Sequence, residues 1–129
     1  MQAMLLSVDK QKAEFIDAPF DFEKLYELIN CSTIELAYRK IDGITFMFCL
    51  DEEGLFVQEQ KISAVDTAMK PMFVGSFVVF GLGEDGGARD LNEVEMQTLI
   101  KHVEYIGTQN YPSGLLMLRD LEYEVIDND

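Results

Sequence analysis

The sequence predicts an α+β domain with a mainly antiparallel sheet, and three observations carry that expectation. Met72–Leu82 (MFVGSFVVFGL) is an uncharged run rich in Val and Phe, bounded by Pro71 and a glycine-rich loop. Such a run suits a strand buried on both faces. Ser32–Ile41 alternates apolar and polar residues, Asp42-Gly43 follows, and Ile44–Leu50 resumes an apolar run. A strand, Asp-Gly and a strand make a tight hairpin. Finally, Asp21–Asn30 and Asp90–Ile106 carry apolar residues at helical spacing on one face only. Two one-faced helices therefore pack on a sheet with Met72–Leu82 at its centre.

Taken in order, Met1–Val8 and Gln11–Asp17 are strand-like, with Asp9-Lys10 as the tip between them and Ala18-Pro19 as the stop. In Asp21–Asn30, Phe22, Leu25, Tyr26 and Ile29 fall at i, i+3, i+4 and i+7, Asp21 stands at the N-cap and Asn30 ends the helix. Within the hairpin Ile34, Leu36 and Tyr38 point one way and Thr33, Glu35, Ala37 and Arg39 the other. Asp51–Gly54 closes the next turn. Leu55–Lys70 lacks a consistent period: Leu55 and Val57 suit a short strand, and Ile62–Met69 suits an irregular helix or a loop. After the central run, Gly83–Arg89 is a flexible loop and Asp90 with Glu93 makes a capping box. Met96, Leu99, Ile100 and Val103 form a helical stripe that Ile106 extends and Gly107 ends. Asn110–Gly114 is a turn, and Leu115–Ile126 gives a last edge strand that frays into Asp127–Asp129.

A chain of 129 residues fits one domain. Met1–Val8 has no basic leader, and the longest apolar run falls short of the roughly 20 residues that cross a membrane. Cys31 and Cys49 lack CxxC spacing and read as reduced core thiols, so a cytoplasmic protein is expected. Charge is the unusual bulk property: 24 acids against 10 bases give −14. That field repels nucleic acid and anionic lipid, so neither direct nucleic-acid binding nor a membrane surface is expected. It suits a basic protein partner. The acids group at Asp51, Glu52 and Glu53, at Glu84 and Asp85, at Asp90, Glu93 and Glu95, and along Asp120–Asp129. On turns such groups either keep the chain in solution or imitate a phosphate array inside a basic groove. A central strand with two apolar faces also needs cover on both, from a second copy of the chain in a homodimer or from Leu55–Lys70.

The chain offers little reactive chemistry. Gly81–Gly86 (GLGEDG) matches GxGxxG between a strand and a helix, yet Glu84 and Asp85 stand where phosphates would bind and the flanking elements are hairpins. Binding of a small ligand, a nucleotide or a divalent cation through Gly81–Gly87 is the alternative to a protein-binding role. His102 is the one histidine and reads as a surface or half-buried structural residue; a nucleophile would require it to meet Cys31 or Cys49. Zinc lacks a ligand set, and the acids lack EF-hand spacing. No catalytic residue, cofactor or metal ligand is assigned, and the expectation leans away from an enzyme, one of unknown class being the other alternative.

LLSVDKQKAEFID, FEKLYELI leading into TIELAY, FMFCLDEEG, and FVGSFVVFGLGEDG followed by LNEVEMQTL occur in this order over residues 4–105. In that order they resemble the domain-of-unknown-function family numbered 3846, small proteins of phages, plasmids and integrated elements. The most specific piece is Val74-Gly75-Ser76-Phe77-Val78-Val79, with Ser76 where the family tends to have threonine. The family's Asn-Arg segment after the acidic turn has no counterpart in Phe56–Met69. The resemblance implies no activity, catalytic residue or cofactor. It implies an accessory role, such as anti-defence or anti-restriction, through the mobile elements that carry the family.

Overall fold

The computed structural model describes residues 1–52 and 61–123. Glu53 of the first acidic group, Leu55, Val57 and the end of the acidic tail lie outside the described residues. The elements in chain order are β1 (Gln2–Ser7), β2 (Lys12–Asp17), α1 (Phe22–Ile29), β3 (Ile34–Ile41), β4 (Ile44–Asp51), β5 (Ile62–Asp66), β6 (Pro71–Val74), β7 (Phe77–Leu82), β8 (Ala88–Arg89), α2 (Glu93–His102), β9 (Val103–Ile106) and β10 (Leu115–Tyr123). The sheet runs β2-β1-β7-β4-β3-β10-β5-β6, with β8 on β7 and β9 on β10. Among the described residues every strand pairing is antiparallel except β10 with β5, so the fold is mixed α and β with a mostly antiparallel sheet.

Local sequence explains the regular parts. The β3–β4 hairpin turns on Asp42 and Gly43, both at positive φ, which gives the tight turn that fits the strand twist. Helix α1 starts where the Asp21 side chain accepts the Glu23 amide and stops where Asn30 turns left-handed.

The uncharged run Met72–Leu82 is two strands, not the single one its composition predicts. Gly75 (φ +83°) and Ser76 break it. The first half becomes β6, last in the sheet order; the second half becomes β7, held between β1 and β4. The break lets the sheet curl. Ser76 Oγ accepts the Val8 amide at 3.0 Å, and the Phe73 ring lies 5.2 Å from Phe48 and 6.0 Å from Phe77. Strands far apart in the order thereby enclose one core, to which β1, β3, β4, β5, β6, β7, β10 and α2 all contribute. A Cβ at Gly75 would meet no neighbour within 4 Å, so only its backbone angle resists substitution. Gly75→Ala is expected to cost about 1 kcal/mol and lower the melting temperature by roughly 3–6 °C in a thermal scan.

The opposite face of β1, β7 and β4 packs on α1 through Leu25 and Ile29, with Met47, Cys49, Val78 and Phe80 between them. Both faces of β7 are therefore covered within the chain, by α1 on one side and by the curled strands with α2 on the other.

Several further expectations are corrected. Ile62–Asp66 is a strand rather than helix or loop. The final strand is no edge: β10 lies inside the sheet, against β3, β5 and β9. The second helix ends at His102, and Val103–Ile106 turns into β9, because those residues hydrogen-bond along Leu115–Leu118. Its capping box is Asn92 with Glu95, not Asp90 with Glu93. Ile100 of the predicted apolar stripe is 59% exposed, while Leu99 beside it is fully buried.

Candidate functional site

The first acidic groups do not converge. Leu50 pairs with Phe77 and Phe46 with Gly81. Asp51 and Glu52 thus leave the sheet where β7 begins, whereas Glu84 and Asp85 leave it beyond Leu82, roughly 20 Å away at about 3.3 Å per residue. Asp51 is half-buried and Glu52 exposed. At the other end, Glu84, Asp85, Asp90 and Glu93 are all exposed along one segment from the β7–β8 loop to the first turn of α2. Asp85 accepts the Gly87 amide at 2.9 Å, and Asp90 accepts the Gln2 amide at 2.6 Å.

Glu95 is turned inward. Its carboxylate receives a two-pronged contact from Arg89, Nη1 to Oε1 at 2.7 Å and Nη2 to Oε2 at 2.8 Å, and also accepts the Asn92 amide at 2.9 Å. Burial raises the Glu95 pKa, but Arg89 and the Asn92 amide together outweigh it and hold the carboxyl below the ordinary glutamate value. Arg89 is the one base between Gly83 and Glu95, and its charge is spent on this buried partner.

The glycine loop uses its own donors. The Gly83 amide donates to Gly87 O at 2.7 Å and the Gly86 amide to Gly83 O at 3.0 Å, while Gly87 serves Asp85. The start of α2 is likewise filled by Asn92 and Glu95. A phosphate would have to displace these groups.

Sequence reasoning did not find the network around His102, which is 5% exposed. Nδ1 lies 3.0 Å from Asp120 Oδ2 and Nε2 lies 2.9 Å from Asp42 Oδ2. Both aspartates are left-handed, φ +52° at the hairpin turn and φ +65° in β10. The second marks a bulge, since Leu118 and Leu121 of β10 face Ala64 and Asp66 of β5. Arg119 binds Asp120, places Nη1 3.3 Å from the ring and Nε 2.6 Å from Glu104 Oε1, and donates to Lys101 O at 3.2 Å. Bonding to His102 lowers the Asp42 pKa, against a smaller desolvation effect. The aspartates sit on opposite ring nitrogens and so do not converge on one point. Among the described residues, no group of three or more His, Cys, Asp or Glu side chains is arranged to hold a metal ion. Cys49 packs on the α1 face, the other side of the sheet from the Leu99 cluster, and burial pushes its thiol up to about 12. Cys31 is also raised, by desolvation and then by Asp51.

A groove of about 390 Å³ runs between β2 and the end of α2, walled by Met4, Ala13, Glu14, Phe15, Ile100 and Val103. One end is pinned by Gln11, whose carbonyl accepts from Tyr105 Oη at 3.0 Å and whose side chain accepts the Leu116 amide at 2.8 Å. This too escaped the sequence, since its walls are ninety residues apart in places and only the exposure of a stripe residue, Ile100, marks it. Among the described residues no helix is long and apolar enough to cross a membrane. No curated protein and no solved structure matches the chain. A family model described as "Domain of unknown function (DUF3846)" matches residues 1–104, most of the chain, and the protein belongs to that family.

Proposed function

We propose that this chain is a non-enzymatic protein-binding module, an accessory protein of a mobile element, whose acidic surface engages a basic partner. One observation carries the reading. Arg89 is consumed by buried Glu95, and Glu84, Asp85, Asp90 and Glu93 stay exposed around it with no ion pair among the described residues. A net charge of −14 strengthens the field of that segment and steers a basic surface toward it. Phe20, 38% exposed, stands edge to face with Phe22, 42% exposed, and with Phe80, whose cluster also receives Leu82 and Ala88 from the two sides of the acidic loop. Exposed aromatics beside charge are the usual anchors of protein interfaces. The origin in mobile elements that the resemblance implies would suit an accessory role without chemistry of its own. Because Asp51 and Glu52 stand at the other sheet end, the contact draws on the β7–α2 acids and not on one continuous array of all the groups.

The test is a pull-down from host lysate with the wild-type chain and with the Glu84→Lys, Asp85→Lys double variant. The expected result is a basic protein retained by the wild type, released by salt, and recovered at least tenfold less by the variant. A partner held equally by both, or held equally in high salt, overturns the proposal.

A further inference from the structure

His102 stands where strand β10 changes partners. From Leu115 to Leu118, β10 pairs with β9; beyond the bulge, Glu122 pairs with Lys40 and Tyr123 with Arg39 of β3. Asp120 lies in the bulge and reaches the ring at Nδ1, while Asp42 of the β3–β4 turn reaches it at Nε2. A carboxylate only accepts hydrogen bonds, and a neutral imidazole has one N–H. Both contacts are therefore made together only by the doubly protonated ring. A neutral ring must turn a lone pair toward one of the two aspartates. Arg119 decides which. Its Nη1 lies 3.3 Å from Nδ1, within reach to donate there, whereas Nε2 meets Asp42 alone among the described residues. Lys101, next to His102 on α2, and Glu104 of β9, paired with Arg119, are the further charged groups at the network.

We infer that His102 is a proton-operated latch on the β10 bulge. With both nitrogens protonated, the ring holds Asp42 and Asp120 and ties the turn to the bulge. When the second proton passes from Nδ1 to solvent, Nε2–H keeps Asp42, and Nδ1 becomes an acceptor for Arg119. Asp120 then loses the ring. Each state leaves both ring nitrogens bonded, so the buried ring changes state without orphaning a polar atom. The bulge bears the difference. Its Asp120 is left-handed, a conformation uncommon outside glycine that the ring contact helps to hold. Deprotonation accordingly loosens the pairing of β10 with β3 and leaves the Asp42 turn in place.

The full chain, labelled with 15N and 13C, is titrated from about pH 5 to about pH 9 and followed by NMR. The ring nitrogen that loses its proton is expected to be Nδ1, with about nine-tenths of neutral rings in the Nε2–H form. The Asp120 carboxyl carbon should shift with the ring. Amides of residues 39–40 and 122–123, corrected for their intrinsic rates, should exchange about fivefold faster once the ring is neutral, and those of residues 41–44 less than about twofold. In Arg119→Met the Nε2–H share should fall to about half, because Nδ1 loses its donor. Circular dichroism checks that this variant is folded. Any of four results overturns the latch: loss of the Nε2 proton instead, equal changes in exchange at the turn and beyond the bulge, an unchanged tautomer share in Arg119→Met, or a ring fixed in one state throughout.

Discussion

Arg89→Met is expected to destabilise the protein by about 3 kcal/mol at neutral pH, seen as a lowered midpoint in urea. The loss arises at Glu95, whose side chain is 3% exposed and would keep only the Asn92 amide as a partner for its charge. Arg89 itself is 42% exposed, and beyond this contact its removal loses the bond it donates to Asp90 O at 2.8 Å. The pH dependence is diagnostic. In the wild type the Glu95 pKa lies below its unfolded value, so the stabilisation is present above the ordinary glutamate range and is lost as pH falls through the lowered pKa. In the variant, burial acts without the arginine and raises the pKa. Protonation then favours the folded state, and the gap between the two proteins should narrow from pH 7 toward pH 4. A constant gap would mean that Arg89 contributes packing and not charge.

His102→Ala is the second large effect, about 2–3 kcal/mol, from a buried ring's cavity and its two lost hydrogen bonds. The damage should be local. Asp42 and Asp120 both occupy left-handed backbone that aspartate tolerates without preferring, and the ring between them ties the β3–β4 turn to the β10 bulge. Faster amide exchange at residues 41–44 and 118–121, with α1 unchanged, is the expected signature. The Asp42 contribution has its own sign: its pKa is lowered, so its share of stability is present above the ordinary aspartate range and fades as pH falls through the lowered value. Asp42→Asn should remove that fading, and a pH titration of urea stability reads it.

Much of the fold was legible wherever the cause was local. Asp42-Gly43 between alternating runs, Asp21 before an apolar stripe and Asn30 after it each act through neighbours in sequence. The errors occur where distant contacts decide. Asp90 with Glu93 and Asn92 with Glu95 are overlapping capping patterns; the second prevails because Asp90 is taken by the Gln2 amide and Glu95 by Arg89. The helix stops at His102 because Leu115–Leu118 offers a strand partner, which no helical period reveals. Composition also hides the break at Gly75-Ser76, since one uncharged run fits one long strand as well as two. The family resemblance was legible from ordered motifs, and the family model covers residues 1–104. The His102 network was not, since its partners come from a turn and a bulge that sequence spacing does not connect to it.

The interior position of β10 bears on the order of folding. On the side of β3 away from β4, Lys40 pairs with Glu122 and Arg39 with Tyr123, and the shared core is incomplete without Leu118 and Leu121. The β3–β4 hairpin forms from neighbours, but one side of β3 stays unpaired until residues 115–123 have been synthesised and have folded back. Pairings over such separations close slowly. A chain truncated before Leu115 would leave that side of β3 as an open edge and Phe46 and Phe48 without the Leu118 and Leu121 side of their core, so it is expected to associate with other chains more readily than the full chain does.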